Sequence, residues 1–197
     1  MGNDDIRIRE WERLNYHDPE KDLVGFAYLS NLVFHSSLPP AEKQLRTRPQ
    51  QGLRERRQAA LFAWGVVQKY ELQGLEFAMY EAADYDSVFR WREKEGVCYR
   101  PVQLKELPSE SLNSKVSLDL LLASLKKYTD SNDLTVAVFA NRGTSSGTTF
   151  EVPAGLAIGG LFLYGSCTPD QTEWFLQGDL MKGESETVRF LHPVPLG

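Results

Sequence analysis

An α/β (α+β) fold, with a central mixed sheet and flanking helices, is predicted by three observations. Residues 53–70 carry an apolar stripe at helical spacing. Three short segments rich in strand-forming side chains follow between residues 75 and 104. A second helical pattern over residues 117–128 then leads into residues 134–140 (LTVAVFA), an unbroken apolar run of strand length. The order helix, three strands, helix, strand (αβββαβ) buries its apolar faces by laying helices on a sheet.

Residues 1–22 carry little pattern. Residues 23–34 (LVGFAYLSNLVF) are apolar enough for a short buried helix, which Pro39 and Pro40 prevent from continuing. From Leu53, the side chains Leu53, Ala60, Leu61, Trp64 and Val67 recur at three- and four-residue steps, with Arg54, Arg57, Gln58 and Gln68 largely off the stripe. The helix is expected to end between Tyr70 and Gly74, where glycine suits a left-handed terminus. Residues 75–82 alternate as a first strand, residues 87–91 (SVFRW) form a second, and residues 97–104 a third. The polar turn 92–96 makes the last two an antiparallel hairpin. Pro101 lacks an N–H, so it marks a bulge or the start of the fully paired segment. Ser117 is the expected N-cap of the next helix, and Lys126 and Lys127 suit its C-terminal end. The run 134–140 reads as a strand covered on both faces. Residues 141–147 read as a loop, 161–164 and 172–176 as further strands, and the last ten residues as a tail. The chain divides into an N-terminal helical extension (1–42), a core (43–140) and C-terminal strands and tail (141–197), within a single domain.

Composition excludes several classes. With 197 residues, 42% hydrophobic and 11% aromatic, the chain can bury a core and is not disordered throughout. Two cysteines, Cys98 and Cys167, form neither a disulfide framework nor a zinc-type pair. The expected setting is reducing and cytoplasmic. No apolar run is long enough to span a membrane, and the opening MGNDDIRIRE lacks a signal peptide's apolar stretch.

The formal charge is −5, which by itself argues against a polyanionic partner. The charge is unevenly placed. Between residues 43 and 57, Lys43, Arg46, Arg48, Arg54, Arg56 and Arg57 face only Glu55, a local balance of +5, and the remainder carries −10. Such a segment is either a solvated helix face or a phosphate-binding patch.

Three polar residues stand where the strand pattern calls for little polarity. Asp86 begins the second strand, and Gln103 and Lys105 flank Leu104 near the end of the third. Period-two alternation sends Gln103 and Lys105 to one side, and the hairpin brings Asp86 to the same end. A carboxylate with neighbouring oxygens can hold Mg²⁺. A lysine beside it can act on a metal-bound water and stabilise phosphoryl charge. Phosphodiester hydrolysis needs those parts.

Asp86, followed by Gln103-Leu104-Lys105 in an αβββαβ order, resembles the PD-(D/E)XK (restriction-endonuclease-like) nuclease superfamily, and within it the branch with glutamine in the second acidic position, as in Mrr-type enzymes. The resemblance spans roughly residues 54–140. It implies metal-dependent DNA hydrolysis with Mg²⁺ or Mn²⁺ as cofactor. Asp86 would bind the metal with Gln103 and the Leu104 carbonyl, and Lys105 would serve the attacking water. Glu55 on the first helix would complete the site, with Glu71 as the fallback. Arg46, Arg48, Arg54, Arg56 and Arg57 would contact DNA phosphates. The proline that precedes the family's aspartate is absent; Asp84-Tyr85-Asp86 stands there, leaving Asp84 as an alternative ligand. Two other readings stand beside this one. The same fold without catalysis would be a binding module for a protein or nucleic-acid partner, or a homodimer. A small-molecule protein would carry a pocket near residues 161–174, distant from Asp86.

Overall fold

The structure, a computed structural model, describes residues 3–39, 42, 47–141 and 151–194. Lys43, Arg46, Arg142 and Gly143 lie outside the described residues. Helix α1 (Asn3–Trp11) is followed by α2 (Pro19–Phe34), a 3-10 turn (Arg48–Gln50) and the long helix α3 (Gln51–Tyr70). Strands β1 (Glu76–Met79), β2 (Ser87–Glu93) and β3 (Gly96–Leu107) come next, then α4 (Leu118–Ser124) and β4 (Ser131–Ala140). Strands β5 (Ile158–Ser166), β6 (Glu173–Gln177) and β7 (Thr187–Leu191) end the chain's regular structure. All seven strands form one sheet in sequence order. It is mixed: β3, β4 and β5 run parallel, and every other neighbouring pair is antiparallel.

The expected order of helix, three strands, helix, strand is present as α3, β1–β3, α4 and β4. The two helices lie on opposite faces. Helix α3 packs Ala59, Ala60, Phe62, Ala63 and Val66 on a cluster containing Phe77, Phe89, Val102, Leu104 and Phe162. Helix α4 packs Leu121 and Leu122 on a second cluster with Leu107, Val136, Val138 and Leu163. Alternate residues of β4 enter the two clusters, which explains why residues 134–140 are apolar at every position.

Several expectations are corrected. Residues 3–11 form α1, whose amphipathic signal is faint: among its described side chains, Trp11 is the buried one, at 3% exposure. Leu53 is not part of the buried stripe: it is 46% exposed, and burial begins at Gln58. Glu71, not Gly74, takes the left-handed position after α3, with φ 52°. The second helix is shorter than expected and tightens into a 3-10 turn (Leu125–Lys127), although Ser117 caps it as read, accepting from the Leu120 N–H at 3.2 Å. The C-terminal tail contains β7, an edge strand whose short burial pattern hid it. Pro101 precedes the doubly paired part of β3, since the ladder with β4 begins at Val102.

Phe62, 1% exposed, touches the rings of Phe89, Phe162 and Tyr164 at 5.4–5.6 Å. Phe62→Ala is expected to cost about 3–5 kcal/mol in urea unfolding, from lost burial and the cavity left behind. Leu53→Ala is expected to stay within about 0.5 kcal/mol of the parent protein; a larger loss would place Leu53 in the core.

Candidate functional site

Asp86 sits at the start of β2 and reaches across to β3. Its backbone N–H donates to the Val102 carbonyl at 3.0 Å. Its Oδ2 accepts from the Leu104 N–H at 2.8 Å and from the Gln103 side-chain amide. The hairpin therefore brings Asp86 and Gln103 together, and the Leu104 contact is made by its backbone N–H, whereas Lys105 makes no hydrogen bond or ion pair with Asp86 among the described residues. Gln103 is buried at 7% exposure, and its amide is fully engaged. Nε2 donates to Asp86 and to the Leu104 carbonyl at 3.3 Å, while Oε1 accepts from the Tyr128 hydroxyl at 3.1 Å. The acceptors set the amide's orientation: a carboxylate and a carbonyl both need a donor, so the NH₂ group must face them.

Burial of Asp86 raises its carboxyl above the usual carboxylate range, against the lowering effects of the Leu104 N–H and of Lys105. Glu55 adds a smaller raising effect. It lies on α3, across the sheet from the face that carries Gln103 and Lys105, and its Oε1 accepts from Gln51 at 2.8 Å. Lys105 is half-buried, and burial together with the charge of Lys127 lowers its ammonium below the ordinary lysine range, with Asp86 partly opposing them. Asp86 and Lys105 face each other electrostatically without forming a contact ion pair. Tyr128 is 4% exposed, and burial with the carboxylates of Asp84 and Asp86 pushes its phenol up to about 12, so it remains a hydrogen-bond donor at neutral pH.

The other candidates are placed as follows. Glu71 terminates α3, about 24 Å along the helix from Glu55, and cannot substitute for it. Asp84 is exposed and lies in the turn before β2, where it makes none of the contacts that tie Asp86 to β3. Within the basic run, Arg56 is committed to Asp22 by two bonds of 2.7 and 2.8 Å. Arg57 bonds the Gln171 side chain at 2.8 Å and lies over the Trp174 ring, and burial lowers its guanidinium. Arg48 is exposed, and Arg54 has a buried Nε without a hydrogen-bond partner. Among the described residues neither Arg48 nor Arg54 forms an ion pair. The apparent +5 segment is therefore partly neutralised within the fold.

Tyr128 and Lys127 escaped the sequence reading, which took them as the end of an apolar helix and its terminal charge. A third network also went unread: Glu106 accepts from Gln58 at 3.2 Å and from Asn141 at 3.0 Å on the α3 side of β3. Strand alternation shows the direction of Glu106 but not what the opposing helix supplies.

Among the described residues no group of three or more His, Cys, Asp or Glu side chains is arranged to hold a metal ion. No described helix is long and apolar enough to cross a membrane. Comparison with protein-family models, with curated proteins and with solved structures finds no match.

The raised Asp86 carboxyl makes a stability prediction. A carboxyl raised on folding favours its protonated form, so the stabilisation is present at low pH and lost as pH rises through the folded value. Asp86→Asn, always neutral and still able to accept from Leu104, is expected to melt above the parent protein at pH 8. The gap should shrink as pH falls into the carboxylate range. A lower melting point for Asp86→Asn at pH 8 would show that the charged form is what the hairpin needs.

Proposed function

We propose that the chain is a metal-dependent phosphodiesterase of restriction-endonuclease-like architecture that hydrolyses DNA. One observation carries the reading: Asp86, Gln103 and the Leu104 backbone meet at one end of the β2–β3 hairpin, with Lys105 beside Gln103 on the same face. The element order and the parallel β3–β4 pair formed across α4 support it.

The donor set is all oxygen, which suits a hard cation. Asp86, the Leu104 carbonyl and Gln103 are the groups that would hold Mg²⁺ or Mn²⁺, and Glu55, on the other face of the sheet and bonded to Gln51, adds only its charge from a distance. When bound, the ion supplies Lewis acidity to a phosphoryl oxygen and acidifies a water. The Gln103 NH₂ group now stands against two of those oxygens, so its donation and cation binding exclude each other. Replacing a carboxylate by an amide also weakens the site, which therefore requires more cation. Lys105, its ammonium lowered below the ordinary lysine range by burial and by Lys127, is the group placed to exchange a proton at Nζ, and when charged it stabilises a phosphoryl oxygen. Arg48 and Arg54 are the arginines of the basic run left to meet backbone phosphates; Arg46 would join them from outside the described residues. Arg56 and Arg57 hold α3 to α2 and to the β6 side, and act on DNA only through that placement.

A second reading is favoured by one specific feature. Among the described residues Asp86 is the sole carboxylate bonded directly into the Gln103–Leu104 cluster. With so little negative charge, the same site would serve a module that binds nucleic acid or protein without cutting.

Plasmid and linear DNA incubated with the protein and Mg²⁺ or Mn²⁺ provide the test. Cleavage is expected, reduced by about 100-fold or more in Asp86→Ala and in Lys105→Ala, the scale of losing a positioned acid–base group. Cleavage that survives in both variants overturns the assignment. Absence of cleavage, with DNA retention weakened by Arg54→Ala, would establish the binding module instead.

A further inference from the structure

The opposite end of the same sheet holds a second cleft, of about 320 Å³. It opens between the C-terminal half of α3 and the N-terminal ends of the parallel strands. Arg100 lines it and Lys105 belongs to the candidate site, so the two lie about 17 Å apart along β3. The volume falls within the roughly 300–1,000 Å³ of small-ligand clefts.

Its walls are aromatic and its polar groups are arranged by depth. Tyr70 and Trp91 supply the accessible ring surface, backed by the buried rings of Phe62, Phe89 and Phe162. Deep in the cleft lie Thr135, 7% exposed, and Asp179, 3% exposed. Asp179 uses Oδ1 to accept from the N–H groups of Leu161 at 3.0 Å and Met181 at 3.1 Å. Among the described residues its Oδ2 has only the Lys182 ammonium, 3.7 Å away on a largely exposed side chain. The absence of a side chain at Gly160 keeps this corner open: a Cβ there would stand 3.2 Å from the Thr135 hydroxyl and 3.4 Å from Asp179 Oδ2. At the mouth, Arg100 donates one bond, to the Asp133 carbonyl at 3.1 Å, and among the described residues it forms no ion pair. Lys182 and Glu93 complete the rim.

We propose that this cleft binds a purine 5′-monophosphate. The ring system fits between the aromatic walls, since stacking on such surfaces suits any nucleobase. An amino or ring N–H of the base donates to Asp179 Oδ2, and the Thr135 hydroxyl, able to donate or accept, meets the neighbouring ring position. The phosphate reaches the mouth, where Arg100 offers a forked cation that no carboxylate of the described chain neutralises, with Lys182 beside it. A purely apolar ligand would add no partner to Asp179 Oδ2 beyond Lys182 or to Arg100 beyond the Asp133 carbonyl, and a simple anion would leave the aromatic walls empty. The two charged ends and the flat centre together select the class. The site does not depend on metal chemistry at Asp86.

Calorimetric titration of the full chain, without divalent cation, tests the proposal. The probes are adenosine and guanosine 5′-monophosphate, adenosine, ribose 5-phosphate and a 5′-phosphorylated dinucleotide beginning with adenosine. Binding of at least one monophosphate is expected, with ribose 5-phosphate at least tenfold weaker. Arg100→Gln should weaken the monophosphate at least tenfold and leave adenosine little changed. Thr135→Val, nearly isosteric, should weaken both. Binding of the dinucleotide as tight as that of the mononucleotide would assign the site to the end of a strand, and weaker binding to the free nucleotide; either supports the purine monophosphate site. No binding of either monophosphate up to millimolar concentration, or binding untouched by both substitutions, overturns it. Because no metal is present and Asp86 is unaltered, failure here leaves the nuclease reading to its own test, and loss of DNA cleavage leaves this one standing.

Discussion

Helix α3 can lie close to the sheet because Ala59, Ala60, Ala63 and Gly65 give it a face without bulk. A Cβ at Gly65 would stand 3.0 Å from the Phe190 ring, so the approach leaves room for nothing larger there. Into that close contact Phe62 inserts the one large ring on which Phe89, Phe162 and Tyr164 converge. Burial on this scale is non-directional in energy but strict in shape, as expected of an interior packed at crystal-like density. Once the helix is seated, its two ends are placed. The N-terminal half carries Gln58 onto Glu106, on the α3 face of β3. The C-terminal end carries Val66 and Tyr70 over the aromatic cleft.

The sheet divides labour in a related way. Strands β3, β4 and β5 run parallel, so their C-terminal ends share one edge and their N-terminal ends the other. Asp86, Gln103 and Lys105 lie toward the first edge, and Arg100, Thr135 and Gly159 toward the second. Both groups stand on a rigid frame, since β4 is buried on both faces and cannot shift without disturbing two cores at once. Polar side chains at such edges cost little when bonded and much when not. Gln103 illustrates the first condition, with all its bonds made inside the chain. Asp179 Oδ2 and the Arg100 guanidinium stand closer to the second, and it is there that a ligand has most to gain.

The basic run shows how tertiary structure redistributes charge. Six cations against one carboxylate suggest a continuous polyanion-binding stripe when read along the chain. In the fold, Asp22 takes Arg56, and Gln171 with Trp174 takes Arg57. These partners are 34 and 114 residues away in sequence, beyond the reach of any local pattern. The arginines left open are fewer and lie nearer the start of α3.

The chain's local chemistry determined the order of elements from α3 to β4, the two-sided burial of β4 and the meeting of Asp86 with Gln103. Each of these follows from periodicity: 3.6 residues for a helix face, two for a strand face, and a short polar turn that reverses direction. Local chemistry did not determine the parallel pairing of β4 with β5, the edge strand β7, the Tyr128 bond to Gln103, or the neutralisation of Arg56. Nor did it show a cleft whose lining comes from α3, four strands and the segment after β6. Those features depend on contacts between residues far apart in sequence, and such contacts exist only after hydrophobic burial has brought the layers together.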